Sequence, residues 1–288
     1  MRILRLCHVF FIASFLCFSV KATDLVRYVE SGDSKQSYFV DLLKLALEAS
    51  RDNYGDYSLV GVEVAMSQGR SSIMLGLNEV IDLTWRMSSK EIEDKLQAVY
   101  FPILKGLMGY RIFIIRAGEQ IHFNKNISVN KLKTIALGQG HNWPDTDILR
   151  ANDFNVASGY DEHLLTMLLR KRFDYFPRAL HEPWSEIKGY PDLIIEKNIM
   201  LKYYAPMYFY VNKTNNRLQQ RLSYGLGKIL NSGEFDQFFI NHPITANIIE
   251  KSKVIKRVVF ELENPLLSDK TKELLSDKRL WIDLSTVK

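Results

Sequence analysis

Between Gly138 and Thr146 the chain reads Gly-Gln-Gly-His-Asn-Trp-Pro-Asp-Thr. Two glycines give a backbone room to approach a ligand, and Gln139, His141, Asn142 and Thr146 supply hydrogen-bonding groups beside the flat face of Trp143. Pro144 suits the first position of a helix, whose free N–H groups attract acceptors and anions. The alternative is a plain strand-to-helix turn with Trp143 in the core, against which the density of polar donors favours a site. A second cluster, Trp85-Arg86-Met87-Ser88-Ser89, sets a ring and a cation just before a helix that Ser88 or Ser89 caps; a core Trp beside a surface Arg is the alternative. Arg178 offers a guanidinium fork for a carboxylate, or an ion pair with Glu182 four residues on. Glu30 ends the first apolar run, where a carboxylate could bind a polar group or act as a base.

Catalytic arrangements are otherwise sparse. His122, His141, His163, His181 and His242 are scattered singly, with no H-E-x-x-H spacing. No G-x-S-x-G, P-loop or G-x-G-x-x-G motif is present. His181-Glu182 resembles an acid/base pair, but neighbours on a helix point to different faces and read as a solvated surface. Neither a metal nor a cofactor is expected, and the chain is read as a non-enzyme. A small hydrolase using Glu30 or His141 as base is the rival reading.

These groups must be held by an ordered body. The chain has 288 residues, 47% apolar and 25% charged, enough for a sizeable core. Its net charge of +5 is concentrated at the start, since residues 1–22 carry Arg2, Arg5 and Lys21 and no acid. Without them 35 bases face 33 acids, so no cationic surface for nucleic acid is expected. Arg2 and Arg5, the apolar run Leu6 to Val20 and the small residue Ala22 form a secretory signal peptide, cut after Ala22. The run is too short to span a bilayer. Cys7 and Cys17, the only cysteines, leave with it, so the mature chain carries no disulfide.

The remainder alternates short apolar runs with amphipathic ones, the mark of an α/β protein. Strands are expected at 25–29, 59–64, 81–85, 109–116, 134–137, 154–157 and 173–176, and in the apolar run 203–211. Helices are expected after Ser37, then at 71–77, 90–98, 145–151, 160–172, 179–188, 216–230 and 234–240. Two long strands, near 110–116 and 205–211, bracket the second α/β unit as two crossings between lobes would. The tail beyond Asn241 is expected to add a strand or helix and to wrap on the first lobe.

This order resembles the type II periplasmic solute-binding fold and is similar to extracellular solute-binding protein family 3, in a transporter-like branch. The stretches carrying the resemblance are 25–30, 82–91, 138–146 and 172–178. It implies a two-lobed α/β protein whose lobes are mixed sheets flanked by helices and joined by two crossing strands. Residues 23–108 and 206–288 would form one lobe and 109–205 an inserted second. It implies a periplasmic, monomeric protein that captures a small polar solute for an inner-membrane transporter, or for a receptor. Glu30, Trp85, Arg86, Ser88, Gln139, His141, Asn142, Trp143, Thr146 and Arg178 are the expected ligand-binding residues. Two departures bear on the ligand. Ile92 stands where amino-acid binders place a carboxylate-gripping Arg, and Arg178 and Ala179 stand where they place an ammonium-binding Asp. Arg86 and Arg178 together would then face an anionic or hydroxyl-rich solute.

Overall fold

The computed structural model describes residues 23–32, 35–64, 66 and 68–284, so the expected signal peptide lies outside the described residues. In chain order, β1 (Asp24–Glu30) pairs in parallel with β2 (Tyr57–Glu63). Next come β3 (Leu83–Met87) and β4 (Gln97–Val99), then β5 (Tyr110–Arg116), β6 (Leu137–Gly140), β7 (Val156–Gly159), β8 (Tyr175–Ala179), β9 (Leu193–Ile195) and β10 (Ile199–Lys202). After them follow β11 (Met207–Val211) and β12 (Val258–Glu261).

Two sheet systems result. In the first, β11 lies antiparallel between β3 and β4. The β1–β2 pair joins it where the Asp82 amide donates to the Arg27 carbonyl and the Asp82 carboxylate takes the Arg27 guanidinium in two bonds of 2.8 Å. In the second the order is β12-β10-β5-β8-β6-β7, with β9 also paired to β5. The chain passes from first to second between β4 and β5 and returns between β10 and β11. These crossings touch: the Tyr203 amide donates to the Gly109 carbonyl, and a Cβ on Gly109 would strike the Tyr203 carbonyl oxygen.

Helices cover the sheets where apolar periodicity demands it. Gln36–Ala49 buries Tyr38, Phe39, Leu42, Leu43, Ala46 and Leu47, spaced three and four apart. Asn216–Ser232 packs against it along Leu218, Leu222, Gly225, Leu226 and Ile229, with the Asn215 side chain accepting from the Leu218 amide. Ser89, rather than Ser88, caps Lys90–Lys95.

Several expectations are corrected. Ser37 is not a cap, because the first helix already begins at Gln36. Gly138, Gln139 and Gly140 belong to a strand and not to an open loop, and the two glycines make room for the rings of Phe173 and Trp143 rather than for a ligand. The helix expected over 179–188 shrinks to Pro183–Glu186, since β8 runs on to Ala179. The helix expected over 90–98 stops at Lys95 and gives way to β4.

The tail differs most. Instead of staying on the first lobe, it contributes β12 to the second sheet, parallel to β10. It then returns. The Leu266 carbonyl accepts from the Lys90 amide, and Thr271 bonds Tyr208 and Glu93 beside the first sheet. It ends against the crossing, where the Ile282 amide donates to the Lys105 carbonyl, Tyr110 donates to the Ile282 carbonyl, and the Trp281 ring covers Gly106.

Candidate functional site

A cleft of about 310 Å³ opens between the two sheet systems. The first sheet and its helix supply Val29, Ser31, Lys35, Phe39, Thr84 and Trp85, and the second supplies Arg111, Trp143, Asp145, Asp161, Arg178 and Glu186. Met87, Met108 and Met207 form part of the lining near the crossings. Thioether side chains of this kind repack easily around different shapes.

The period of two along strands decides who faces the cleft. On β1 and its continuation Val29 and Ser31 line it, so Glu30 does not; its carboxylate lies over Gly61 instead. On β3, Trp85 faces the cleft and stacks on Phe39 at 5.3 Å and 20°. Arg86 does not line the cleft, although Thr84 and Trp85 before it both do; it is buried and donates to the Ser72 hydroxyl at 2.6 Å. Ser88 is buried with its hydroxyl donating to Glu93. Gln139 is buried inside the second sheet. His141 and Asn142 are exposed on the far side of the turn, His141 edge-on to Tyr160. Thr146 donates its hydroxyl to the Gly140 carbonyl and closes that turn. Of the ten expected residues, the structure thus brings Trp85, Trp143 and Arg178 to the cleft and leaves seven elsewhere.

Arg178 is not an open receptor. Its guanidinium lies 4.7 Å from the Trp143 ring centre and 4.9 Å from that of Phe176, two rings within 15° of parallel. It forks onto Glu186 at 2.8 and 2.7 Å and pairs with Glu182 at 3.0 Å. Burial alone would raise the Glu186 carboxyl, but Arg178 and Lys35 hold it down to about 2. The expected cationic pair of Arg86 and Arg178 does not form, and His181-Glu182 is an interior feature rather than a solvated surface. Burial pushes the His181 imidazole down to about 4, which keeps it neutral at pH 7.

Residues not singled out from sequence complete the site. Arg111, 1% exposed as the second residue of β5, pairs with Asp145, which also accepts from the Tyr203 hydroxyl. Glu182 stands 3.8 Å from Arg111. Lys35, at the start of the first helix, reaches across the cleft to Glu186 at 3.1 Å. Charges therefore alternate along one line: Asp145, Arg111, Glu182, Arg178, Glu186, Lys35. A cation inside the otherwise apolar run Tyr-Arg-Ile-Phe-Ile-Ile was the available signal for Arg111, because such a charge requires a partner. The Lys35–Glu186 pair spans 151 residues and left no local signal.

With this geometry in place, the fold is that of the two-lobed, type II periplasmic binding proteins. An arginine-specific periplasmic binding protein of Salmonella typhimurium superposes with a TM-score of 0.54 at 14% identity, covering 75% of this chain and 97% of that one. A histidine kinase sensor domain similar to periplasmic binding proteins gives 0.53 at 12% identity over 75% and 93%. A putative binding component of an ABC transporter from Wolinella succinogenes, complexed with lysine, gives 0.52 at 16% over 75% and 94%. No family model and no curated protein sequence matches the chain.

Proposed function

We propose that this chain is a periplasmic solute-binding protein, exported by cleavage after Ala22, that closes two lobes over a small polar solute and delivers it to an inner-membrane transporter. The observation that carries this is a cleft lined from both sheet systems and bridged by Lys35 and Glu186. Such a cleft can exclude water from a solute only when the lobes approach. The moving bodies divide near residues 109 and 205, with β12 travelling with the second lobe. The volume is at the lower end of the range for small-molecule sites, which suits a metabolite rather than a peptide. No catalytic step is assigned: the charged groups of the cleft other than Asp161 are committed to one another, and His181 is neutral.

Small-angle scattering tests this with a panel of amino acids, organic acids, amines and sugars, each first screened by thermal shift. A stabilising solute is expected to shrink the radius of gyration. A solute that binds tightly and leaves the radius unchanged would refute lobe closure. Similarity to a histidine kinase sensor domain favours a second reading, in which a membrane receptor reads the same closed form. Capture of a transporter permease or of a sensor kinase by the solute-loaded protein separates the two.

A further inference from the structure

The cleft is lined by three permanent cations, Lys35, Arg111 and Arg178, and four carboxylates, Asp145, Asp161, Glu182 and Glu186. Every cation has a carboxylate within 3.1 Å, and together they occupy Asp145, Glu182 and Glu186. Asp161 is left over. It sits at the rim, partly exposed, and among the described residues nothing donates a hydrogen bond to it; partial desolvation raises its carboxyl above the ordinary value against the pull of nearby Arg178 and Lys35. His181 supplies no compensating charge, while its Nδ1 is buried without a hydrogen-bond partner. The remaining walls are neutral and partly aromatic, with half-buried Trp85 and Trp143 facing in from opposite lobes.

We propose that the solute is a small organic monocation, carrying an ammonium, guanidinium or quaternary ammonium group that lies against Asp161 within reach of the Trp85 and Trp143 rings. The proposal rests on the reading that the lobes close on a solute, and it gives that solute its charge. An anion entering this cleft would have to pull a guanidinium from its buried carboxylate, or lie unpaired beside Asp161; both leave a desolvated charge without a partner. A monocation instead brings the lining to neutrality when closure removes water. Aromatic faces add attraction for a cation that they withhold from an anion. A polar atom elsewhere on the solute would satisfy His181 Nδ1.

Calorimetry with isosteric pairs tests the charge directly: arginine against citrulline, and choline against 3,3-dimethyl-1-butanol, with citrate and glutamate as anions. One cation at least is expected to bind ten-fold or more tightly than its neutral partner, and Asp161→Asn to remove that margin while its melting temperature shows an intact fold. Equal binding within both pairs, preference for an anion, or an unchanged margin in Asp161→Asn overturns the inference. Scattering on the same solutes separates the two readings. Compaction by a neutral or anionic solute refutes the charge assignment alone, whereas binding without compaction refutes lobe closure.

Discussion

Replacing Arg178 with Met keeps most of the side-chain volume and removes the charge between Glu182 and Glu186. The three side chains are 8%, 12% and 17% exposed, so water screens them little. Removing one partner of a buried ion pair costs about 3–5 kcal/mol, because the other charge stays buried without compensation. A second route gives a similar size. The Glu186 carboxyl lies at about 2 instead of 4.5, and at about 1.4 kcal/mol per pH unit this gap is worth about 3 kcal/mol. Because the folded value is depressed, that stability is fully present above pH 4.5 and is lost as pH falls toward 2. In Arg178→Met only Lys35 still opposes burial at Glu186, so its carboxyl rises toward the ordinary value and the variant loses less stability than the native chain as pH falls through that range. Urea unfolding should therefore show a deficit of about 3–5 kcal/mol at pH 7 that narrows markedly by pH 3. Arg178→Met with Glu186→Gln should recover part of it. A deficit under about 1 kcal/mol at pH 7, or one independent of pH, would refute the reasoning.

Two further outcomes can be checked by the same unfolding assay. Gly109→Ala would drive a methyl group into the Tyr203 carbonyl where the two crossings touch; a loss of about 3 kcal/mol or failure to accumulate folded protein is expected, and a near-neutral effect would show that the crossings are not in contact. Tyr203→Phe removes the hydroxyl that donates to buried Asp145, and a loss of about 1.5–3 kcal/mol is expected; an unchanged midpoint would count against that bond.

The order of strands and helices was largely legible, because β1, β5, Gln36–Ala49 and Asn216–Ser232 each carry a local apolar period that packing then satisfied. Position along a strand was not. Glu30 and Arg86 each lie one residue from a side chain that faces the cleft, and a single-residue step reverses the face. Charge partnership was legible only at short range. Glu182, four residues from Arg178, was visible as a possible partner, but Glu186 was not singled out and Lys35 lies 151 residues from it. Polar density around 138–146 pointed to a site, yet most of those groups serve the turn itself, as Thr146 does at Gly140. The edge joined by β12 depends on long-range pairing with β10, for which a short apolar run contains no address.

The chain passes between the two sheet systems four times: from β4 to β5, from β10 to β11, out again to β12, and back from β12 to the helix Asp269–Glu273. Two neighbouring strands behave as a flexible strip that can both bend and twist. The returning pass is fixed beside the first sheet at Lys90, Tyr208 and Glu93 and then lies against the strip at Lys105 and Tyr110, and ties of this kind restrict its twist. Fewer open arrangements then compete with the closed one, and the fraction of molecules ready to receive solute rises. Observed affinity is the intrinsic affinity scaled by that fraction, so under the proposed closure residues 262–284 would bear on capture from outside the cleft lining.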